Sequence, residues 1–287
     1  MPVDIEALYP KLIHLMLDTV FVVDRDSRIV FVSDACEGLL GYRAEELVGR
    51  SITDLMHPDC LENTQASIAR VMSGHPHTDF HNRYIRKDGS IVDILWSARW
   101  SEEDQVRIGV ARDVTALRQA EEALRFLAHH DSLTGLTNRS LFSDRLESAL
   151  LAARRYQSGL ALLFLDVDEF KSINDSHGHA VGDRVLCTIA RRLEGCVRET
   201  DTVARLGGDE FVVLLTDIQS AEAVAAKLDE ITAAVSAPLG PGFDGMRAVS
   251  CSAGVAQYPT DGENAERLMR HADEAMYRRK GRRSSSG

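Results

Sequence analysis

Residues 205–211 read R-L-G-G-D-E-F, set between the apolar runs T-V-A-R-L (202–206) and F-V-V-L-L (211–215). Paired glycines joining two β-patterned segments form a hairpin, because glycine reaches positive φ without steric cost. On the bland reading, Asp209 and Glu210 only keep that turn soluble. On the other, Gly207 and Gly208 bring the backbone close to a ligand and the acids do chemistry. The surrounding chain has to separate the two.

Working outward, G-L-A-L-L-F-L-D (159–166) is a run of apolar residues ending in Asp166, the pattern of a buried central strand. A helix over 141–157 places Phe142, Leu146, Ala149 and Leu150 on one face. A second helix, from about Asp183 to Val197, buries Leu186, Ile189, Ala190 and Leu193. After the hairpin come a helix (220–236), a strand (246–256) and a helix (264–280), giving a sheet layered with helices. If the strand ending at Asp166 neighbours the hairpin, the carboxylates of Asp166 and Asp209 converge at one sheet edge. Few hard oxygen ligands with room for phosphate suit Mg²⁺. Two such ions bind triphosphate oxygens and activate a hydroxyl for attack on phosphorus. Taken singly, a strand-end Asp and a turn Asp-Glu are more often plain solvated acids.

The whole composition sets bounds. The 287 residues suffice for two domains, are 44% apolar and 27% charged, and carry a net charge of −11. That charge argues against a nucleic-acid or anionic-membrane partner, while an anionic small substrate needs metal to neutralise it. Five cysteines with no paired spacing fit a reducing cytoplasm. The apolar stretch Leu12–Val23 is broken by His14 and Asp18, lacks a basic leader and is not read as a signal peptide. No run reaches the length needed to span a bilayer, so a soluble, cytoplasmic chain without a membrane partner is expected.

The first half reads as α+β with one antiparallel sheet. Residues 19–33 give two short strands around an R-D-S-R turn, followed by a helical stretch from about Asp34 to Leu61 and a polar helix over 61–74. Three strands in a meander follow, up to about residue 115. From Leu117 the period changes: Leu117, Ala120, Leu124 and Leu127 form an a/d seam on a charged helix, a connector that pairs with its twin. The tripeptide Glu122-Ala123-Leu124 inside it is read as helix, not as a phosphodiesterase motif. His75, His77 and His81 lie in G-H-P-H-T-D-F-H, read as a solvated loop ahead of a metal site.

Five blocks carry a resemblance: D-S-L-T-G-L-T-N-R (131–139), F-L-D-V-D-E-F-K-S-I-N-D-S-H-G-H-A-V-G-D (164–183), R-L-G-G-D-E-F, S-A-G-V-A (252–256) and A-D-E-A-M-Y-R-R-K (272–280). In this order and spacing, residues 131–283 resemble a GGDEF domain, the diguanylate cyclase family, with its palm-like nucleotidyl-cyclase sheet. Residues 11–115 resemble a PAS sensor domain through G-Y-R-A-E-E-L-V-G (41–49), R-K-D-G-S (86–90) and A-R-D-V-T (111–115), leaving 116–130 as a signalling helix.

The resemblance implies condensation of two GTP into cyclic di-GMP with two Mg²⁺ per active site, by a homodimer formed through the PAS domain and linker helix. Asp166, Asp209 and the carbonyl of Val167 would hold metal, and Asp209 or Glu210 would deprotonate the ribose hydroxyl. Asn174 and Asp183 would read guanine, whose N1–H and N2–H a carboxylate can accept. The plainer readings are a helix N-cap for Asp183 and a turn residue for Asn174. Phe170 and Lys171 match the pocket wall and phosphate neighbourhood, and Lys280 matches a phosphate-binding lysine. The family's following arginine is absent: Ser284 stands at its position, with Arg282 and Arg283 arriving early. Arg198 and Asp201, in R-E-T-D, match the R-x-x-D site at which cyclic di-GMP inhibits; the plain reading is a surface ion pair. PAS domains bind haem, flavin, small ligands or nothing, and no residue pattern here names the PAS ligand. The rival reading is a catalytically idle GGDEF domain that binds GTP or cyclic di-GMP as a regulatory module.

Overall fold

The computed structural model describes residues 11, 13, 15–243, 246 and 248–284, without the side chains of 282–284. It divides into two compact units, with the division between Ala123 and Leu124.

In the first unit, strands β1 (Thr19–Val23), β2 (Ile29–Val32), β3 (His77–Ile85), β4 (Ile91–Ser101) and β5 (Val106–Asp113) form an antiparallel sheet in the order β2-β1-β5-β4-β3. Period-2 alternation turns Phe21, Val23, Tyr84, Val92, Ile94, Trp96 and Ala111 into one core with the intervening helices. The expected helical stretch over 34–61 is instead broken into α1 (Cys36–Leu40), α2 (Ala44–Leu47) and 3₁₀ turns at Ile52–Leu55 and Pro58–Cys60. Gly41 and Gly49 are the reason: both take positive φ, 76° and 86°, and end the helical runs. Helix α3 (Leu61–Met72) packs on β3 and β4. His77 and His81 lie on β3 rather than in a loop, and His77 Nδ1 bonds Ser67 Oγ at 2.7 Å. Helix α4 (Thr115–His129) has no buried residue; Leu117, Leu124 and Leu127 of its seam are exposed.

The second unit is built on a four-stranded antiparallel sheet of β6 (Gly159–Val167), β7 (Thr202–Gly207), β8 (Glu210–Ile218) and β9 (Cys251–Tyr258), in the order β7-β8-β6-β9. Its helices are α5 (Arg139–Tyr156), α6 (Phe170–His177), α7 (His179–Gly195), α8 (Ala221–Ser236) and α9 (Ala265–Ser284). The continuous apolar run of β6 exists because both faces are covered. Ala161, Leu163, Leu165 and Val167 pack against α7 and α8, while Leu160, Leu162 and Phe164 pack against α5 and α9. Helix α6 replaces the expected turn at Asn174, and the next helix begins at His179, so Asp183 lies inside it rather than capping it. The last strand begins at Cys251, later than the expected 246, and runs to Tyr258. Among the described residues no helix is long and apolar enough to cross a membrane, and no disulfide joins any of the five cysteines.

Candidate active site

The alternation of β6 decides where its last acid points. Even-numbered residues face α5 and α9, so Asp166 emerges on that side at the end of the strand. Its register partner on β8 is Glu210, and on β9 Ser252. Asp209 occupies the turn itself, after Gly207 (φ 142°) and Gly208 (φ 55°), conformations that favour glycine at both positions. Its carbonyl accepts from Val167 N at 3.2 Å, which ties the hairpin tip to the end of β6. The end of β6 and the hairpin tip thus share one edge, where Asp209 acts electrostatically on both Asp166 and Glu210.

Basic groups meet this edge from two helices. Lys280 of α9 places Nζ 2.5 Å from Asp166 Oδ1, and Arg139 at the start of α5 lies 3.7 Å from Glu210 Oε2. Burial pushes the Asp166 carboxyl above its ordinary range, helped by Asp209 and Asp168 and only partly offset by Lys280. Burial also raises Glu210; Arg139 opposes this, while Asp166, Asp273 and Asp209 add to it. Burial acts to lower Lys280, but its bond to Asp166 outweighs that and the amine is held above its usual range. Lysine and aspartate thus both shift upward: the lysine profits from the pair, and the aspartate sits among too many acids for one lysine to compensate. Such a carboxylate-rich edge favours cations.

No group of three or more His, Cys, Asp or Glu side chains among the described residues has metal-binding geometry. At the hairpin edge Asp166 and Asp209 offer hard carboxylate oxygens. Lys280 shows that a positive charge is accepted against Asp166. These residues fit a hard divalent cation that keeps other ligands from phosphate.

The hairpin is clamped from behind by a residue to which the sequence reading gave no role. Arg205 donates from Nε and Nη2 to the Gly208 carbonyl (3.0 and 2.7 Å) and from Nη1 to both oxygens of Asp131 (2.9 and 3.0 Å). Asp168 is held equally firmly, accepting from the hydroxyls of Ser250 and Ser252 at 2.6 Å each. Arg205, Asp131, Arg139 and Asp168 all lie in the blocks quoted above, but the pairs Arg205–Asp131, Arg139–Glu210 and Asp168–Ser250 join residues far apart in sequence.

The remaining expected residues fall in two other places. Asn174 and Gly182 touch: a Cβ on Gly182 would overlap the Asn174 amide and approach Phe170 Cζ to 3.2 Å. Asn174 Oδ1 is buried with no hydrogen-bond donor. Phe170 packs partly buried on the α7 side of the core, Lys171 and Asp183 are exposed, and α6 borders a cleft of about 450 Å³ that also reaches Asp168, Ser250 and Lys280. Arg198 and Asp201 do not form the surface ion pair. Asp201 Oδ2 accepts from the Arg198 backbone N–H at 3.1 Å and Oδ1 from Thr216 N–H at 3.0 Å, leaving the exposed Arg198 guanidinium without an ion-pair partner among the described residues. The side chains of Arg282, Arg283 and Ser284 lie outside the described residues.

A sheet edge carrying acids, a glycine turn and a neighbouring cleft of about 450 Å³ suit the second unit to handling a nucleotide, and the first unit has the antiparallel sheet of a sensor-type domain. Comparison with known proteins agrees. The family model for the diguanylate cyclase GGDEF domain matches residues 128–286, and a PAS domain model matches residues 17–116. The chain belongs to the GGDEF family, with a PAS domain ahead of the GGDEF domain. Diguanylate cyclase TpbB of Pseudomonas aeruginosa is 45% identical over 161 residues, 56% of this chain and 37% of that protein. Diguanylate cyclase DgcM of Escherichia coli K12 is 33% identical over 270 residues, 89% of this chain and 62% of its own length. The solved GGDEF domain of TpbB superposes with a TM-score of 0.52 at 45% identity, covering 54% of this chain and 90% of that one. The chain thus spans less than two thirds of the curated relatives' length.

Proposed function

We propose that the protein is a signal-regulated diguanylate cyclase that condenses two GTP into cyclic di-GMP and two pyrophosphates. The observation that carries this is the pairing of Asp166 with Glu210 across β6 and β8, with Asp209 next to Glu210 at the tip of an intact G-G-D-E-F turn. Asp166, Asp209 and the Val167 carbonyl are the residues that would hold two Mg²⁺. When bound, the ions would supply charge neutralisation to the triphosphate and acidify the attacking hydroxyl.

The chain's own groups do the rest. Asp209 or Glu210 takes the proton of the ribose 3′-hydroxyl. Asn174, whose carbonyl oxygen has no donor within the protein, and Asp183 accept from guanine; rotation of the Asn174 carboxamide presents that oxygen to the ligand. Gly207 and Gly208 admit the nucleotide close to the backbone, Phe170 supports the pocket wall, and Lys171 and Lys280 meet phosphate. Lys280 is poised to exchange Asp166 for phosphate when substrate arrives.

Two units must face each other, because each GTP supplies the hydroxyl for the other's α-phosphorus. The exposed seam of α4 supports pairing of two chains, with the PAS domain setting how the catalytic domains are presented. Cyclic di-GMP would inhibit at Arg198 and Asp201. Five cysteines without a disulfide among them support a cytoplasmic location.

Incubating the purified protein with GTP and Mg²⁺ tests this: cyclic di-GMP should form, and Asp209→Ala should abolish it. No product under dimeric conditions refutes the reading. The rival, an idle nucleotide-binding module, draws on Ser284 standing where the family keeps an arginine, and it predicts GTP or cyclic di-GMP binding without turnover.

A further inference from the structure

Among the described residues, two buried side-chain atoms lack a hydrogen-bond partner: Asn174 Oδ1 and Arg107 Nη1. The guanine site accounts for the first. The second lies in the PAS unit, far from any use the cyclase reading has for it. The alternation of β5 (V-R-I-G-V-A-R-D) puts Arg107 in phase with Gly109 and Ala111, on the buried face of the sheet. Arg107 is 7% exposed, and no carboxylate reaches ion-pair distance among the described residues. Burial pulls the guanidinium below its usual range, and the more distant charge of Asp24 opposes this without outweighing it. A guanidinium does not give up its proton in a protein, so a charged group stands here with a buried N–H left without a partner and no ion pair among the described residues.

Arg107 lines a cavity of about 40 Å³ with Ile52, Met56, Ile68, Asn82 and Trp96. The wall's other polar side chains are Thr64, Ser67, His77, Asn82 and Tyr84: Asn82 donates to Thr64 Oγ1 at 3.2 Å and accepts from Trp96 Nε1 at 2.9 Å, and Ser67 Oγ bonds His77 Nδ1 at 2.7 Å. Arg107 Nη1 is the buried polar atom of this wall that has no partner among the described residues. A water occupies roughly 10–15 Å³ on this measure, so the space takes about three water-sized groups. That is far below the several hundred Å³ typical of drug-sized and cofactor pockets. The apolar wall penalises a second charge, which disfavours phosphate and dicarboxylates.

We propose that this cavity binds a short-chain monocarboxylate, with its carboxylate on Arg107 and its alkyl end against Ile52, Met56, Ile68 and Trp96. The planar fork of arginine matches a carboxylate, and the small volume limits the tail.

Trp96 is a built-in reporter. In the full chain carrying Trp100→Phe, which leaves Trp96 as the only tryptophan, sodium propionate should change fluorescence saturably in the millimolar range. Sodium chloride and propionamide at matched concentration should not. Arg107→Met should lower propionate affinity about tenfold to a hundredfold while keeping an equal or higher melting temperature, since it removes an unpaired buried charge. Ile68→Phe, which fills the cavity with Arg107 in place, should block binding too. The proposal is overturned if acetate, propionate and butyrate all leave Trp96 unchanged, if chloride or propionamide acts equally, or if Arg107→Met binds as wild type. Should Arg107→Met not fold, undiminished binding to Ile68→Phe overturns it. None of these readouts involves nucleotide turnover.

Discussion

Lys280 and Asp166, 114 residues apart, hold each other at 2.5 Å across the edge where β6 ends and α9 passes. The lysine occupies the side of Asp166 that a cation would use. The contact sets up two opposite expectations for one substitution. Lys280→Met should strengthen the thermal stabilisation given by Mg²⁺ alone, because a competing positive charge is gone. It should at the same time raise KM for GTP about tenfold or more, through loss of a charged phosphate contact. Thermal shift with Mg²⁺, set beside steady-state turnover, checks both signs. A lysine that only stabilises the fold would move neither in this pattern.

The clamp behind the hairpin has a pH signature. Burial raises Asp131, but its bonds from Thr134 and Arg205 outweigh that and hold the carboxyl below its ordinary value. A carboxyl depressed in the folded state contributes stability above its unfolded pKa, and that contribution is lost as pH falls through the folded value. Asp131→Asn should therefore cost about 1–3 kcal/mol at neutral pH. The gap to wild type should close in strong acid. Denaturant midpoints taken from neutral to acidic pH provide the measurement.

Arg198 and Asp201 should part company when substituted singly. The Arg198 guanidinium is exposed, whereas the Asp201 carboxylate closes a turn and accepts from Thr216 N–H at 3.0 Å. Arg198→Ala should leave stability within about 0.5 kcal/mol and relieve inhibition by added cyclic di-GMP. Asp201→Ala should cost about 1–2 kcal/mol, so its effect on inhibition is mixed with a loosened turn. Inhibition curves read together with melting curves separate the two.

What the sequence revealed, and what it hid, follows from how local each signal is. Strand β6 was legible because nine consecutive residues, apolar until Asp166, have little alternative to a doubly covered strand. The acids at its end and in the hairpin were legible through their punctuation, two glycines and a strand terminus. Helix α6 was not, because F-K-S-I-N-D-S-H offers two apolar residues amid turn formers, and its helicity comes from Phe170 and Ile173 packing on the core. The pairing of Arg205 with Asp131 spans 74 residues and leaves no periodic trace. Arg107 hid in a different way: the alternation does place it inside, but a charge in phase with Gly109 and Ala111 reads as a broken pattern until the cavity beside it is seen.

The packing of α9 on β9 allows a last test, one that links fold to site. Gly254 sits where a Cβ would fall well inside contact with the Ala272 carbonyl oxygen and the Met276 backbone nitrogen. Both obstacles are backbone, so no side-chain rotation relieves them. Gly254→Ala should cost about 3 kcal/mol or more, at the upper end of overpacking penalties. Whatever folds must do so with α9 displaced, and Lys280 lies one helical turn beyond Met276 on that helix. KM for GTP should rise with the loss of stability. At Gly281, on the same helix, a Cβ meets nothing within 4 Å, so Gly281→Ala should be neutral or stabilise by a few tenths of a kcal/mol up to about 1. Measured side by side, the two variants ask whether the helix carries Lys280 to Asp166 through its seat on Gly254, and an unchanged KM in folded Gly254→Ala would sever that link.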